Sequence, residues 1–570
     1  MPAGAEETRV FISQPHGDAE TLTAEQRSPN TTQDVPLPAH TSNSQRADSG
    51  AALFRSILFC DEGMDGKSVS PAAPACFADL NLGQIIDGVT AGLDEYNLKP
   101  YFYTPLQSVE AVNYRYDVFR DLETATLAAA VRSFAEEMRR MRAMRAQEDK
   151  LYYKRQKQRW FLDAVDTYCN AVMALRRTLA HTEKLSRGFA GLRDYLSAYV
   201  ASEPFRRLVA DTQKLKTDLA AVIYSLHLNG RQITVSEFHS EPDYGADVLH
   251  TFEKFSQQAA KEYQFKLRDA PDMNHIEAAI LDMVANLYPE TFAFLEDYTQ
   301  RHSDYLDDLI AAFDREIHFY LAWIDYITSF KNAGLSFCYP TVSSQSKEVY
   351  GTGVFDLALA AKLVPQHARI VTNDFSLHDP ERILVVSGPN QGGKTTFARM
   401  FGQLHYLACI GCTVPGTEAR LFLCDRLFTH FEKEEYIHNQ TGKLEDELIR
   451  IRAILQCATP DSILIMNESF LSTTLKDALF LSREIMQRII QLDMLCVSVT
   501  FLDEMASLSK TTVSMVSTVD PQNPARRTFK VLRRPADGLA YADAVAETYH
   551  LTYGSVKTRI LSNIRRRATE

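Results

Sequence analysis

The sequence predicts a mixed fold: an all-α region over residues 79–335 followed by an α/β domain over residues 336–570. Three observations predict it. From Asp79 to Phe330 apolar residues recur at three- and four-residue spacing with few Gly or Pro interruptions, which is the period of amphipathic helices. Beyond Gly334, Gly and Pro become frequent and short β-branched runs alternate with helical windows. Ile383–Val386, Ile463–Met466 and Leu495–Val499 are continuously apolar, as strands buried on both faces of a parallel sheet must be.

The elements follow in order. Residues 1–52 are Thr, Ser, Pro, Asn, Gln and charge, a composition that cannot bury enough apolar surface to offset its ordering entropy, so a disordered tail is expected. Order is expected to begin at Phe54–Phe59, within a small segment or linker over residues 53–78 that a Pro- and Ala-rich break at Ser70–Ala75 closes. Two helical stretches stand out. One runs from Leu122 to about Leu185 and the other from Pro289 to Phe330, where Phe313, Ile317, Tyr320, Leu321, Ile324 and Ile327 form one stripe. Gly230–Phe238 alternates like a strand after a turn, so a small β insertion is expected near 230–240.

Composition narrows the function classes. The chain has 570 residues, 45% apolar and 24% charged, with a formal net charge of -12. That apolar fraction belongs to a globular protein. No stretch approaches the ~18 apolar residues of a membrane helix, and the first 50 residues hold no apolar core of a signal peptide. Nine thinly spread cysteines read as reduced thiols. An intracellular protein, cytoplasmic or nuclear and without a membrane partner, is expected. The acidic total argues against a uniformly basic surface but leaves local patches open.

After the first apolar run stands Gly388-Pro389-Asn390-Gln391-Gly392-Gly393-Lys394-Thr395, followed by Thr396 and a helical window. It matches G-x-x-x-x-G-K-[ST] between a strand and a helix. Glycines let backbone N–H groups curl round a phosphate at the positive end of the helix. Lys394 would reach the β- and γ-phosphates of ATP, and Thr395 would place a hydroxyl on Mg2+. The run Ile463–Met466 ends in Asn467-Glu468, where an ATPase of this layout carries Asp-Glu. Glu468 is the expected catalytic base. Asn467, at the metal position, lacks a carboxylate's charge, so weakened hydrolysis is expected.

Arg132 to Arg159 holds ten Lys or Arg and four acids. Arg139, Arg140, Arg142, Arg145, Lys154, Arg155, Lys157 and Arg159 are candidate DNA contacts, with Tyr152, Tyr153 and Trp160 interleaved for stacking. An alternative stays open: a solvated helix face whose Arg stems cover the protein's own core. Cys409 and Cys412 form a CxxC, with Cys424 and His430 beyond. A lone CxxC is a weak zinc signal, and buried core thiols with structural His405 and His430 are the expected reading. The basic C-terminal end, Lys557 to Arg567, reads as a solvated helix end.

Together the motifs resemble the MutS DNA mismatch-repair ATPases, strongly over about 370–550 and weakly over about 79–340. The loop is similar to the family's Gly-Pro-Asn-x-Gly-Gly-Lys-Ser/Thr throughout. Val371–Asp374, Ile410–Pro415, Asp425–Thr429 and Ser472–Asp477 resemble further family segments. The resemblance implies an ABC-type ATPase domain joined to a helical core and lever, with a C-terminal helical dimerisation segment. It also implies a homodimer or heterodimer whose closure on DNA is coupled to ATP binding and hydrolysis. Catalytic roles are implied for Glu468, Lys394 and Thr500; Thr500 stands where the family carries a switch His. A segment from one subunit caps the partner's γ-phosphate in the family. Here it falls on Asn439–Glu447, with Gly442-Lys443 in place of Ser-Thr. The Phe-x-Glu wedge of mismatch readers is not found before Asp79. These departures motivate a second expectation, a nucleotide-gated scaffold that binds ATP with little hydrolysis and acts through protein partners.

Overall fold

The computed structural model describes residues 10–11, 54–60, 69–230, 232–240, 273–432, 442–520, 522–536, 546 and 549–569. It is mixed α/β and divides into two compact units. The tail expected over residues 1–52 lies outside the described residues, save Val10–Phe11.

The first unit takes in Ser133–Arg177 and Asp194–Asp307. It is built on long helices, including Glu203–Ala220, His275–Leu287 and Pro289–Arg301. Its core is aromatic and hydrogen-bonded. Tyr168 and Tyr199 share a hydrogen bond of 2.9 Å, and Thr212 and Tyr298 one of 2.7 Å, so buried hydroxyls keep partners. Leu122–Leu185, read as one helical stretch, is two helices, Ala125–Lys150 and Lys154–His181, interrupted at Leu151–Tyr153. The β element begins earlier than expected. Tyr224–Asn229 and Gln232–Glu237 form an antiparallel ribbon, to which Val10–Phe11 adds a short strand.

The second unit takes in Phe54–Arg132, Thr178–Arg193 and Asp308 onward. The compact division therefore runs through the helical stretch. The reason is buried contact between the early helices and the later α/β layer. Arg115, fully buried, donates to the Ile410 carbonyl at 2.7 Å and the Leu58 carbonyl at 3.2 Å. Trp323 Nε1 donates to Thr413 Oγ1 at 2.9 Å, and Gln403 donates to the Leu80 carbonyl at 2.9 Å.

Six strands form the main sheet of this unit: β1 Ile383–Ser387, β2 Leu427–Phe431, β3 Ile463–Asn467, β4 Leu495–Val499, β5 Thr512–Asp520 and β6 Asn523–Arg533. The order is β2-β3-β4-β1-β5-β6, parallel throughout except that β6 returns antiparallel to β5. Every residue of β1, β3 and β4 is buried, which is why their sequences are continuously apolar. Helices α1 Lys394–Cys409, α2 Lys443–Cys457 and α3 Leu475–Gln491 connect or flank these strands. Among the described residues no helix is long and apolar enough to cross a membrane.

Candidate functional site

The loop Gly388–Gly393 joins the C-terminal end of the central strand β1 to the N-terminus of α1. Its shape depends on glycine. Gly388 and Gly393 have φ of 115° and 92°, and β5 leaves no room behind Gly392. A Cβ there would lie 2.2 Å from Ser517 Oγ, which itself donates to the Gly392 carbonyl at 2.6 Å. Gln391 is also left-handed, at φ 60°, a conformation that costs a non-glycine residue about 1–2 kcal/mol. Gly393 caps α1 without a side-chain bond, so the first backbone N–H groups of α1, through Thr396, have no side-chain capping partner at the N-cap.

Lys394 points back into this loop. Its Nζ donates to the carbonyls of Gly388 and Pro389 at 3.1 and 3.3 Å and to Asn390 Oδ1 at 3.2 Å. Glu468 Oε1 is 3.7 Å away. Burial depresses the Lys394 ammonium below the usual lysine range, Glu468 opposes that shift, and Arg527 adds to it. Arg527 was not singled out in the sequence. It lies on β6 and donates through Nε to the Asn390 carbonyl at 3.1 Å, a pairing across 137 positions that no local pattern signals.

Thr395 Oγ1 donates to Asn467 Oδ1 at 2.8 Å. The two oxygens stand at the start of α1 and the end of β3, one hydroxyl and one amide. Glu468 follows, left-handed at φ 52°, with its N–H on the Val499 carbonyl at 2.9 Å. Thr500 meets the same strand ends, since its N–H donates to the Val386 carbonyl at 3.0 Å. Its hydroxyl accepts the Leu502 N–H at 3.0 Å, a bond within its own turn. The structure thus brings Gly388–Thr396, Asn467, Glu468 and Thr500 to one end of the sheet.

Gly442 is the N-cap of α2 and Lys443 its first residue. Lys443 pairs with Glu432. Asn439–Thr441, the start of the expected capping segment, lie outside the described residues.

The basic stripe is divided between helices Ala125–Lys150 and Lys154–His181. At least five of its eight cations face carboxylates: Arg140 with Glu137 at 3.8 Å, Arg145 with Glu148 at 2.6 Å, Lys154 with Glu296 at 2.5 Å, Arg155 with Asp282 at 3.9 Å and Arg159 with Asp163 at 2.9 Å. Arg145 and Arg155 also lie over the rings of Phe161 and Phe292, at 4.9 and 5.2 Å. These two guanidiniums cover the unit's own core. Arg139 is exposed, and Arg142 and Lys157 are half-buried. Tyr152, at the break between the helices, is 88% exposed.

Cys409 and Cys412 are buried, and Cys409 Sγ lies 3.7 Å from Cys424 Sγ. His405 bonds the Phe401 carbonyl at 2.9 Å inside α1. Burial pushes both His405 and His430 down to about 4. In the C-terminal helix Tyr553–Thr569, Lys557 lies over the Tyr553 ring at 5.7 Å.

Residues 384–550 match the family description MutS domain V. Among named proteins, the chain is 26% identical over 199 residues to DNA mismatch repair protein Msh3 of Mus musculus, covering 35% of this chain and 17% of that protein. It is 33% identical over 119 residues to DNA mismatch repair protein MutS 2 of Halobacterium salinarum, covering 21% and 14%. It is 24% identical over 219 residues to DNA mismatch repair protein MutS of Halalkalibacterium halodurans, covering 38% and 25%. The matched stretch spans a quarter or less of the length of these relatives.

Proposed function

Because the chain belongs to the MutS family, we propose that residues 336–570 are an ABC-type P-loop ATPase domain that binds ATP with Mg2+ at Gly388–Thr396. Residues 79–335 are read as its helical core and lever, and DNA as its partner. The observation that carries this reading is the constellation at one sheet end: Lys394 ringed by three loop oxygens, 3.7 Å from Glu468, beside the Thr395–Asn467 pair.

Each residue has a task that its surroundings support. In the loop a buried ammonium is held by carbonyls and disfavoured by burial; phosphate oxygens of ATP offer it full negative charge in exchange. The N–H groups at the start of α1 receive the same phosphates. Thr395 and Asn467 are both hard oxygen donors and fit Mg2+, which when bound supplies charge neutralisation on the phosphates. Glu468 takes the proton of the attacking water. Thr500 contributes its hydroxyl where a His would contribute a ring nitrogen, and the bond from Leu502 leaves it one lone pair and its own proton.

Two subunits sharing their sites, with Gly442 and Lys443 of one approaching the nucleotide of the other, would close more readily with ATP bound. The differential affinity of ATP for that closed state drives the motion, so fast hydrolysis is unnecessary. DNA mismatch repair or related DNA metabolism is the proposed setting.

A second reading is a nucleotide-gated scaffold with little turnover. The neutral amide of Asn467 against Thr395 and the Thr500 hydroxyl committed to its own turn favour it. Steady-state ATP hydrolysis by wild type, Lys394→Ala and Glu468→Ala separates the two. Turnover abolished by either substitution supports the ATPase; nucleotide binding without turnover supports the scaffold.

A further inference from the structure

The catalytic reading gives no task to His430 or Glu447, yet both are built against the turn that carries Glu468. His430 lies on β2 beside Met466 of β3 and is buried. Its Nε2 is 3.2 Å from the Glu447 carbonyl and its Nδ1 2.9 Å from Ser469 Oγ. A carbonyl only accepts, so Nε2 carries the proton. In the neutral ring Nδ1 is then an acceptor, and the Ser469 hydroxyl donates to it. The side chain of Glu447 returns to the same turn, where Oε2 accepts the Phe470 N–H at 2.8 Å. Ser469 and Phe470, the two residues after Glu468, are therefore both tied to Glu447 of α2, directly or through one ring.

We propose that His430 and Glu447 are positioning residues that hold the Glu468–Phe470 turn and make the aim of the Glu468 carboxylate depend on the placement of α2. This rests on the reading of Glu468 as the base. Glu468 and Phe470 are both left-handed, at φ 52° and 65°, and two such non-glycine residues two positions apart persist only where surrounding bonds over-determine them. Those bonds come from Glu447 of α2, from His430 of β2, whose ring is itself held by the Glu447 carbonyl, and from the Val499 carbonyl of β4. The N-cap of α2 is Gly442 and its first residue Lys443, the positions read as approaching a second subunit's nucleotide. A helix transmits a displacement of its end nearly rigidly, so closure at Gly442 and Lys443 is felt at Glu447 and hence at Glu468 of the same chain. Each subunit's base is thereby adjusted by the contact it makes with its neighbour's nucleotide.

The test uses the full chain with His430→Ala, Glu447→Ala and the conservative Glu447→Gln, which keeps an oxygen acceptor for the Phe470 N–H. Three readouts are taken: kcat, affinity for a non-hydrolysable ATP analogue, and hydrogen exchange at the amides of residues 468–470. The expected result is a kcat about tenfold lower in both alanine variants, analogue affinity within threefold of wild type, and exchange at Phe470 at least tenfold faster. Glu447→Gln should recover most of what Glu447→Ala loses. The proposal is overturned if the folded alanine variants keep kcat within twofold of wild type, if exchange at residues 468–470 is unchanged, or if kcat and analogue affinity fall together in step with thermal stability. If wild type itself hydrolyses nothing, the ATPase reading fails, and the exchange measurement still decides whether the turn is clamped.

Discussion

Replacing Asn467 by Asp adds a negative charge to a buried oxygen 2.8 Å from the Thr395 hydroxyl. A hydrogen bond to a charged group exceeds a neutral one by about 1 kcal/mol, close to a fivefold effect. Asn467→Asp should therefore raise Mg2+-dependent turnover about three- to tenfold and shift half-saturation to lower Mg2+, read from ATPase rates across a Mg2+ titration. An unchanged rate and Mg2+ profile would remove Asn467 from the metal position. Two buried histidines give a second residue-scale prediction. His405 and His430 sit at about 4 in the folded chain against about 6.5 unfolded. Their folded values are depressed, so the unfolded chain binds the extra protons. Stability is complete above about pH 6.5 and falls progressively toward pH 4, by up to about 3 kcal/mol per group. Denaturant melts of wild type and His405→Gln across that window should show the smaller loss in the variant; equal slopes would contradict the assignment.

The strand-to-helix loop shows which features an element's sequence makes legible. Gly388–Thr395 could be read because its requirements are local: left-handed glycines, a lysine and a hydroxyl at fixed spacing. The buried strands could be read because burial on both faces leaves a continuous apolar run. What could not be read is what approaches from elsewhere. Ser517 backs the loop across 125 positions, Arg527 reaches Asn390 across 137, and His430 meets Ser469 across 39. The break at Leu151–Tyr153 was equally hidden, because it contains neither Gly nor Pro. The contact behind the loop is testable. Gly392→Ala would place a Cβ 2.2 Å from Ser517 Oγ, overpacking that costs about 1–3 kcal/mol and weakens ATP binding more than tenfold. Adding Ser517→Ala should restore part of the stability in chemical denaturation; strict additivity of the two changes would contradict the contact.

For the whole molecule, net charge of -12 and a locally basic helix pair point in opposite directions, and ion pairing decides between them. At least five of the eight stripe cations already face carboxylates. Exposed pairs of this kind are individually weak, but each would have to open before its cation neutralised a phosphate. Each pair that stays closed takes about 0.9 off the magnitude of the slope of log K against log salt, where all eight cations engaged would give about −7. Duplex binding across a salt series reads that slope directly; one near −7 would mean that the pairs open on DNA. The compact division likewise argues for a protein that acts as more than a sheet with a loop. Early helical residues share buried contacts with the α/β layer through Arg115, Trp323 and Gln403, so nucleotide-linked changes at α1 have a packed route into the helices. The central claim is that this chain turns over ATP with Glu468 as base. The most direct measurement is Mg2+-dependent phosphate release by wild type beside Glu468→Gln and Lys394→Ala. Slow release by wild type, lowered at least a hundredfold in Glu468→Gln with analogue binding retained, is the predicted result. Equal release by wild type and Glu468→Gln would contradict it.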